Sequence, residues 1–271
     1  MTHTFPQQLL QMTIPFYKFD GAGNDFVIVD NRRGDVALGD DEVARICHRR
    51  FGVGADGLML LGGAEGGCHF RMVYYNSDGH QASMCGNGGR CIAAFAAMLG
   101  LGDELCFEAF DGVHRARIVQ WDGRRGVVDL GMRDVEHAAV RQVEGGWMLD
   151  TGSPHFVLPV SGLADCDVVA QGRRWRQRAD LFPEGANIDF VERLDDGSLA
   201  IRTYERGVED ETWACGTGVT ASAIATGAHS VRARGGDFEV LMHDDGHRYA
   251  DIHLIGPVAF NFKGEWTSSV R

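Results

Sequence analysis

Two cysteines stand at the start of two glycine-rich segments that lie far apart in the chain. Cys85 belongs to MCGNGGRC (84–91) and Cys215 to ACGTG (214–218), and a run of small residues follows each segment. Glycines directly after a cysteine let a ligand approach the backbone and leave its amide N–H groups open. If each cysteine lies in the first turn of a helix, those N–H groups and the helix dipole form an anion site. The same dipole predicts a thiol pKa lowered into the range of about 3.5–7.5.

Two such thiols indicate proton transfer at carbon. Inverting the α-carbon of an amino acid needs a base on one face, an acid on the other, and N–H donors that hold the charge developing on the carboxylate. The residues alone also allow two ordinary buried cysteines in helix-starting turns, because free cysteines are usually inert. Their spacing does not exclude a disulfide between Cys85 and Cys215.

A nucleotide-phosphate site is disfavoured by the order of the expected elements. GVGADG (52–57) matches the G-x-G-x-x-G pattern, but that pattern needs a strand before it and a helix after it. Here a helix-like segment, ARICHRRF, precedes the glycines and a strand-like segment, LMLLG, follows them. CGNGGRC also lacks the Lys-Ser/Thr pair of a phosphate-binding loop.

A metal site is disfavoured as well. The chain has no C-x-x-C pair, and the spacing of Cys85 and Cys91 does not fit a compact zinc site. His243 and His247 stand four apart in HDDGH, where the glycine and the aspartates predict a hairpin tip. Cys91 is predicted to be a small buried helix residue, and Cys68–His69 an isolated pair with a packing role.

Composition indicates a globular protein that does not bind nucleic acid. The 271 residues suffice for one large domain or two ordinary ones. A net charge of −12 argues against a surface that follows phosphates. The chain has no apolar run near the roughly 20 residues that span a bilayer. Seven cysteines without framework spacing predict reduced thiols and a cytoplasmic location, and MTHTFPQQLLQMTIP (1–15) is expected to be a loose extension, neither signal nor transit peptide.

Apolar runs and small-residue runs alternate in a pattern typical of a mixed α/β fold. DDEVARICHRR (40–50) carries acids at its start and bases at its end, which suits a helix dipole. The runs after Cys85 and Cys215 predict two further helices of about 12–15 residues each. The predicted strands are FYKF (16–19), DFVIVD (25–30), GLMLLG (57–62), HFRMVYYN (69–76), GVVDL (126–130), HFVLPV (155–160), IDFVER (188–193) and LAIRTYE (199–205).

A weak internal repeat predicts two halves. GAGNDFV (21–27) resembles GANIDFV (185–191), and a Cys-Gly-x-Gly turn follows each at some distance. We therefore expect an N-terminal α/β half over 1–128 that carries Cys85 and a C-terminal α/β half over 129–271 that carries Cys215. The last strand is expected to return to the first half.

Polar residues beside glycine turns add candidate ligands for a substrate. Asn24, Asn76 and Asn187 each begin or end an apolar run, where an asparagine most simply forms a turn. Glu205 and Arg206 stand at a predicted strand end, where a solvated charge pair would contribute little energy. A substrate with a second α-amino-acid group would instead use such an acid for its ammonium and the arginine for its carboxylate.

Seven motifs, in order, resemble those of the diaminopimelate epimerase family. They are KFDGAGNDFVIVD, RRFGVGADG, YYNSDG, MCGNGGRC, TGSPHFV, GANIDFV and YERGVEDETWACGTG, and the match that rests on them extends over nearly the whole chain after the N-terminal extension. The resemblance implies two pseudo-symmetric halves, each a mixed sheet around a central helix, with the active-site cleft between them. It also implies conversion of LL- to meso-diaminopimelate, in lysine and peptidoglycan precursor biosynthesis, without pyridoxal phosphate, any other cofactor or a metal.

The resemblance also implies roles for particular residues. Cys85 and Cys215 are the acid–base pair, and which of them removes the proton depends on the direction of reaction. His155 and Glu205 tune the protonation of the cysteines. The implied substrate-binding residues are Asn24, Asn76, Gly86, Asn87, Ser153, Asn187, Glu205, Arg206, Gly216 and Thr217, with Arg206 on the distal carboxylate. The expected partner is a small-molecule substrate, and a homodimer is one expected assembly.

The chain departs from the family pattern at three places. Gly57 stands where many members carry glutamine, and Ser153 where asparagine is common. The loop 206–215 is one residue longer, which adds Glu209 and Asp210 beside the second cysteine. Two alternatives therefore stay open: a related racemase for another amino acid, such as histidine or proline, and a redox-switched binding protein in which Cys85 and Cys215 cross-link.

Overall fold

The structure, a computed structural model, describes residues 11–64 and 66–269. Of the loose extension expected at 1–15, residues 1–10 therefore lie outside the described residues, and the expectation is wrong for 11–15, which form the start of the first strand. The first half of the chain forms strands β1 (Gln11–Gly21), β2 (Asn24–Asn31), β3 (Gly57–Gly62), β4 (Phe70–Asn76), β5 (Gln81–Ala82), β6 (Glu104–Ala109), β7 (Gly112–Trp121) and β8 (Arg125–Gly131). Its helices are α1 (Asp40–Cys47) and α2 (Gly86–Met98).

The second half has a similar series of elements. Its strands are β9 (Val135–Glu136), β10 (Arg141–Val143), β11 (Gly146–Asp150), β12 (Pro154–Pro159), β13 (Asn187–Arg193), β14 (Leu199–Glu205), β15 (Asp210–Thr212), β16 (Ser230–Ala233), β17 (Gly236–Asp244) and β18 (Arg248–Ser269). Its helices are α3 (Val168–Arg176) and α4 (Gly216–Thr226), and single 3-10 turns lie at His137–Ala139 and Leu163–Asp165. The prediction of a mixed α/β fold is confirmed.

The predicted elements fall where local chemistry favours them. All eight predicted apolar runs lie in strands, and the helix predicted at 40–50 forms over Asp40–Cys47. α1 begins with three acids in its first turn, which favours the positive end of its dipole. α2 and α4 have 13 and 11 residues. α4 ends at Gly227, whose φ of 69° is the left-handed conformation that commonly ends a helix.

The strand pairings of the two halves repeat one another. β2 pairs with β3 in parallel, as β12 pairs with β13. β3 then pairs with β4, and β13 with β14, both antiparallel. β4 and β14 each pair in parallel with the strand after the central helix, β6 and β16. β6 and β7, and likewise β16 and β17, form antiparallel hairpins. The two halves are therefore related by pseudo-symmetry.

The strand pairing shows that the two similar sequence segments, GAGNDFV and GANIDFV, do not occupy equivalent positions in the two halves. GAGNDFV leads into β2, whereas GANIDFV leads into β13, and the counterpart of β13 in the pairing pattern is β3. The segment equivalent to GAGNDFV is therefore TGSPHFV (151–157), which leads into β12. The shared letters arise because both segments are turns before a buried strand, so local composition is similar at positions that are not equivalent.

Each half wraps its strands around one helix of small residues. α2 is buried from Gly86 to Ala96 and contacts β1, β2, β3, β7, β8 and β18. α4 is buried over most of its length and contacts strands from β11 to β18. Alanine and glycine predominate on both helices, so the strands can approach from every side. α1 and α3 cover the outer faces of the two sheets and form their own smaller cores.

β18 connects the halves. Its first part pairs with β17, its middle with β8, and its last part with β1. The proposed division at residues 128/129 falls inside β8 and remains a prediction. Over the described residues, the structure contains no helix long and apolar enough to cross a membrane.

Two smaller predictions have different outcomes. The turn between β17 and β18 contains His247, so the hairpin tip predicted for HDDGH is confirmed. Cys68 was expected to be an isolated packing residue with a reduced thiol, and that is wrong because it forms a disulfide with Cys106. Cys68 precedes β4 and Cys106 lies in β6, so the parallel pairing of these strands brings the two Cα atoms to 4.9 Å.

Candidate functional site

Both candidate catalytic cysteines are helix N-caps. Cys85 directly precedes α2 and Cys215 directly precedes α4, each with extended backbone. Their carbonyls accept the first helical bonds, from the amides of Gly89 at 2.7 Å and of Val219 at 2.9 Å. The prediction of a cysteine at each helix start is therefore confirmed. Both thiols are free, so the structure has no disulfide between them.

The two helix starts lie against each other. A Cβ added at Gly86 would lie 3.6 Å from the Cα of Gly216, which is an ordinary van der Waals distance and shows how close the two helix starts are. The Asn87 side chain bridges the two, since its Nδ2 donates to the carbonyl of Ala214 at 2.8 Å. Two positive helix ends therefore converge on one place, where an anion would be favoured.

Arg90 supports this junction and was not singled out from the sequence. Its guanidinium is fully buried and donates to Asn87 Oδ1 at 2.8 Å and to the Gly86 carbonyl at 3.2 Å. It also lies 5.0 Å from the ring centroid of Phe238, on β17 of the other half. Burial lowers the pKa of Arg90 to about 10. A buried arginine within a run of small helix residues is the signal that could have identified it, since arginine is rarely fully buried unless partnered.

The surroundings of Cys85 oppose its ionisation. Its Sγ lies 3.7 Å from Asn24 Oδ1. Burial is the largest influence and raises the pKa of the Cys85 thiol, and the negative charge of Glu205 raises it further. The amides of Gly88 and Asn87 at the helix start act in the opposite direction.

Cys215 is linked to a buried polar chain. Its Sγ lies 3.3 Å from Thr217 Oγ1, which in turn lies 2.9 Å from His155 Nε2. The other ring nitrogen, Nδ1, lies 2.7 Å from Asp189 Oδ2. Burial raises the pKa of Cys215 well above its usual value, and the charges of Glu205 and Asp189 raise it further.

The expectation of lowered thiol pKa values is therefore wrong for this structure. Removing a thiolate from water costs more free energy than the helix dipole and the amide hydrogen bonds return. Each thiol is held in its protonated form until a base or a bound substrate changes the balance. The expected effect of Glu205 on the cysteines is present, and its direction is to favour the neutral thiols.

Asp189 is a second residue that sequence reasoning missed. It is fully buried, and it accepts hydrogen bonds from Thr203 Oγ1 at 2.7 Å and binds His155. β12 and β13 run in parallel with His155 opposite Asn187, which sets Asp189 close to the imidazole. The signal in the sequence was an acid inside the apolar run NIDFV, where a buried carboxylate needs a partner.

The candidate binding residues fall into two groups. Asn187 and Ser153 contact each other, with Asn187 Nδ2 donating to Ser153 Oγ at 3.0 Å. Asn187 Oδ1 accepts from the backbone N–H of Arg206 at 2.8 Å, so it fixes the turn that carries this cation. On the other half, Asn24 Nδ2 donates to Asp56 at 2.8 Å, and its Oδ1 faces Cys85.

Asn76 and Glu205 occupy equivalent positions in the two halves. Asn76 is the last residue of β4, and Glu205 is the last residue of β14, the strand that corresponds to it. The Asn76 side chain is exposed, whereas burial raises the pKa of Glu205. The pseudo-symmetry therefore brings a neutral amide and a carboxyl to corresponding strand ends.

In the longer loop, the contacts of Glu209 lie within the turn after β14 and with α3. Glu209 accepts hydrogen bonds from Tyr204 Oη at 3.1 Å and from the Gly207 amide at 3.2 Å, and Arg176 lies 3.5 Å away. Glu209 therefore stabilises the turn after β14. The acids that act on Cys215 are Glu205 and Asp189.

Cys91 is fully buried inside α2, as predicted. Among the described residues, no group of three or more histidine, cysteine or acidic side chains is arranged to hold a metal ion. GVGADG lies between the end of α1 and the start of β3, which confirms the helix-before-strand order that argued against a dinucleotide site.

Comparison with known proteins identifies the family. The model of the family described as diaminopimelate epimerase matches residues 16–134 and 147–260. The chain belongs to the diaminopimelate epimerase family. The diaminopimelate epimerase of Flavobacterium psychrophilum is 42% identical over 262 residues, which cover 91% of this chain and 98% of that protein. The enzyme of the same name from Chlorobaculum tepidum is 39% identical, with 91% and 99% covered.

Solved structures with low sequence identity share the fold. A phenazine biosynthesis protein of the PhzF family from Bacillus anthracis has a TM-score of 0.69 at 16% identity, covering 94% of this chain and 99% of that one. A hydroxyproline epimerase from Agrobacterium vitis has a TM-score of 0.68 at 15% identity, with 94% and 91% covered. These similarities concern the fold alone. The family assignment confirms the resemblance seen in the sequence, and as a member of this family the chain is an isomerase.

Proposed function

We propose that this protein interconverts LL- and meso-2,6-diaminopimelate without a cofactor, in the biosynthesis of lysine and peptidoglycan precursors. The observation that carries the proposal is the meeting of two cysteine-capped helix starts at one place, one from each pseudo-symmetric half. Family membership supplies the substrate, because the similar proteins named above are diaminopimelate epimerases.

The reacting carboxylate is held by the helix starts. In this proposal the amides of Gly86–Asn87 and Gly216–Thr217 donate to its oxygens, and the two helix dipoles add to their effect. Negative charge moves onto this carboxylate as the α-proton leaves. Donors that are already oriented therefore stabilise the transition state more than the ground state.

The two thiols act on opposite faces of the α-carbon. One sulfur takes the α-proton as a thiolate, while the other thiol gives its proton to the opposite face. The centre inverts, and the two sulfurs exchange their protonation states. Cys85 and Cys215 exchange roles when the reaction runs in the other direction, so neither is permanently the base.

The chain from Asp189 through His155 and Thr217 gives Cys215 a route for its proton. His155 can take a proton from the Cys215 thiol through the Thr217 hydroxyl, and Asp189 stabilises the imidazolium that forms. Over residues 11–64 and 66–269, the contacts of Cys85 at the helix start include no comparable imidazole. The two cysteines are therefore prepared for the reaction by different means.

The distal end of the substrate is proposed to lie between the strand ends. Arg206 offers a cation for the distal carboxylate, and Glu205, Asn76 and Asn187 offer acceptors for the distal ammonium. Asn24 and Ser153 complete the proposed set. A substrate with one amino-acid head would offer Arg206 no carboxylate beyond the Glu184 carbonyl that it now reaches at 3.3 Å, which favours a substrate charged at both ends over proline or histidine.

Hydrogen exchange tests the reaction directly. Purified protein is incubated with LL-diaminopimelate in deuterated water, and α-hydrogen exchange and formation of the meso isomer are followed together. Both are expected with the parent protein and with Cys166→Ala, which changes a half-buried cysteine on the α3 side. Cys85→Ala and Cys215→Ala are expected to lose inversion. A folded parent protein that exchanges no α-hydrogen would refute the proposal.

Assembly and location are also proposals. We propose a cytoplasmic homodimer that acts on a small-molecule substrate of the kind that the family comparison supports. Light scattering of the purified chain measures its mass directly, and a monomer at enzyme-assay concentration would refute the dimer.

A further inference from the structure

Tyr74 fills the space that Gly57 leaves open. Gly57 begins β3 and pairs with Asn76 on β4. A Cβ added at Gly57 would lie 2.6 Å from Tyr74 Cε2 and 3.1 Å from its hydroxyl oxygen. Real Cβ atoms do not approach so closely, so Tyr74 takes this position only because residue 57 has no side chain. Gly57 is also the position at which the chain departs from the glutamine common in its family.

The Tyr74 side chain lies on the face of the sheet that covers α2. It packs with the core around that helix, to which Cys85 also belongs, and meets Phe26 edge to face with ring centroids 6.0 Å apart. Tyr75, the next residue, points to the opposite face and packs with the core beneath α1. The two neighbouring tyrosines are therefore separated by the sheet, and only Tyr74 faces the site.

The Tyr74 hydroxyl is a donor that makes no hydrogen bond within the part of the chain that the structure describes. Its oxygen is not one of the enclosed polar atoms. Burial, and then the negative charges of Cys85 and Glu205, raise the pKa of Tyr74, so the phenol stays protonated. A protonated hydroxyl near both a catalytic thiol and the carboxyl at a strand end is suited to donate to an anionic ligand.

We propose that Tyr74 binds the substrate by donating a hydrogen bond from its hydroxyl to a substrate carboxylate. This rests on the proposed function, because it takes the substrate to be an amino acid held between the two cysteines. Gly57 then acts as a specificity residue through Tyr74, since any larger side chain at 57 would displace the ring. In this proposal, the polar contact to the substrate that a side chain at position 57 could make is made instead by Tyr74 on the neighbouring strand β4.

Tyr74→Phe tests the hydroxyl alone, because it keeps the ring and its packing. Losing a hydrogen bond to a charged group reduces kcat/KM by roughly 10- to 100-fold. We expect this loss with LL-diaminopimelate, with most of it in KM and an unchanged thermal midpoint. Tyr75→Phe is the matched control on the opposite face of the sheet, and its kinetics are expected to match the parent.

The outcomes separate this proposal from the function on which it rests. A parent protein that epimerises diaminopimelate while Tyr74→Phe keeps kcat/KM within twofold would overturn the role of Tyr74 and leave the function intact. A parent protein that does not epimerise diaminopimelate would overturn the function, and with it the substrate named here. A loss in Tyr74→Phe that is matched in Tyr75→Phe, or that follows a lowered midpoint, would assign Tyr74 a packing role and overturn the proposal.

Discussion

The cysteine thiols are harder to ionise than their helix-start positions suggest. Burial is the largest influence on both, and it raises the pKa of Cys85 and raises that of Cys215 well above its usual value. A thiol is neutral when protonated, so a raised pKa means that the reactive thiolate becomes populated only as the pH rises. Glu205, held close to both thiols, adds to this effect while it is charged.

The pH profile of catalysis is expected to keep rising into the alkaline range. Because both thiol pKa values are raised above the usual cysteine pKa of about 8.5, kcat/KM should still increase with pH over the range from about pH 7 to 10. Initial rates of α-hydrogen exchange across this range measure the profile. Thiols whose pKa values were lowered by the helix dipoles would instead give a rate that is flat above neutrality, and a flat profile would contradict the dominance of burial.

Asp189 is expected to act as a positioning residue for His155. Asp189→Asn keeps the shape and removes the charge that stabilises an imidazolium, so the proton route to Cys215 weakens. We expect kcat to fall by about 10²-fold or more, within the usual range for general acid–base groups. The pH profile should shift downward, because the negative charge of Asp189 raises the pKa of Cys215. Thr203→Val, which removes only a hydrogen bond to Asp189 Oδ1, is the milder control. An unchanged kcat in Asp189→Asn would contradict the relay.

The sequence revealed the cysteines but not the residues that support them. Cys85 and Cys215 stand out because glycines follow each, whereas Asp189 and Arg90 are single polar residues inside apolar runs. Their partners, His155 and the Asn87 side chain with the Gly86 carbonyl, become neighbours only after the helices and strands have packed. The effect of burial on the thiols likewise depends on the closed junction, which no local pattern describes.

At the scale of elements, buried strands were predictable and half-exposed ones were not. β3 reads GLMLLG and is buried over five of its six residues, so its apolar run was visible. β7 reads GVHRARIVQW and has one buried residue among exposed and half-buried ones. Sequence similarity also matched GAGNDFV with GANIDFV. The strand pairing shows instead that the counterpart of GANIDFV, which leads into β13, is GVGADGL, which leads into β3.

The equivalent helix positions Gly88 and Gly218 are expected to respond differently to alanine. A Cβ at Gly218 would lie 2.5 Å from Asp189 Oδ1, whereas one at Gly88 would lie 3.3 Å from the flexible Met59 side chain. We expect Gly218→Ala to lower the free energy of unfolding by about 1–3 kcal/mol, as overpacking does, and to reduce kcat by moving Asp189. Gly88→Ala should be near neutral, since the helix propensity of alanine, worth about 1 kcal/mol, offsets the tight contact.

Urea unfolding and steady-state rates of Gly88→Ala and Gly218→Ala test whether the two positions respond differently. Equal effects in both would mean that the contact with Asp189 has no special weight and that the two helix starts differ only in sequence.

At the scale of the whole molecule, the contacts that connect the two halves lie next to the proposed site. The Asn87 side chain reaches from α2 to Ala214, the Arg90 guanidinium lies over Phe238, and β18 passes between the sheets. The same contacts that stabilise the interface therefore hold the two helix starts together. Stability of the junction and geometry of the site are expected to change together when this junction is altered.

Arg90→Met tests that coupling. Methionine fills a similar volume but removes the donors that now reach Asn87 Oδ1 at 2.8 Å and the Gly86 carbonyl at 3.2 Å. An unsatisfied buried acceptor such as Asn87 Oδ1 costs about 1–3 kcal/mol, so the urea midpoint should fall. Because Asn87 then loses its fixed orientation, we expect α-hydrogen exchange to slow under conditions where the variant is fully folded. Arg115→Met, at an exposed site on β7, is the control and should change neither quantity. A variant that is less stable but exchanges at the parent rate would show that the junction supports the fold without positioning the helix starts.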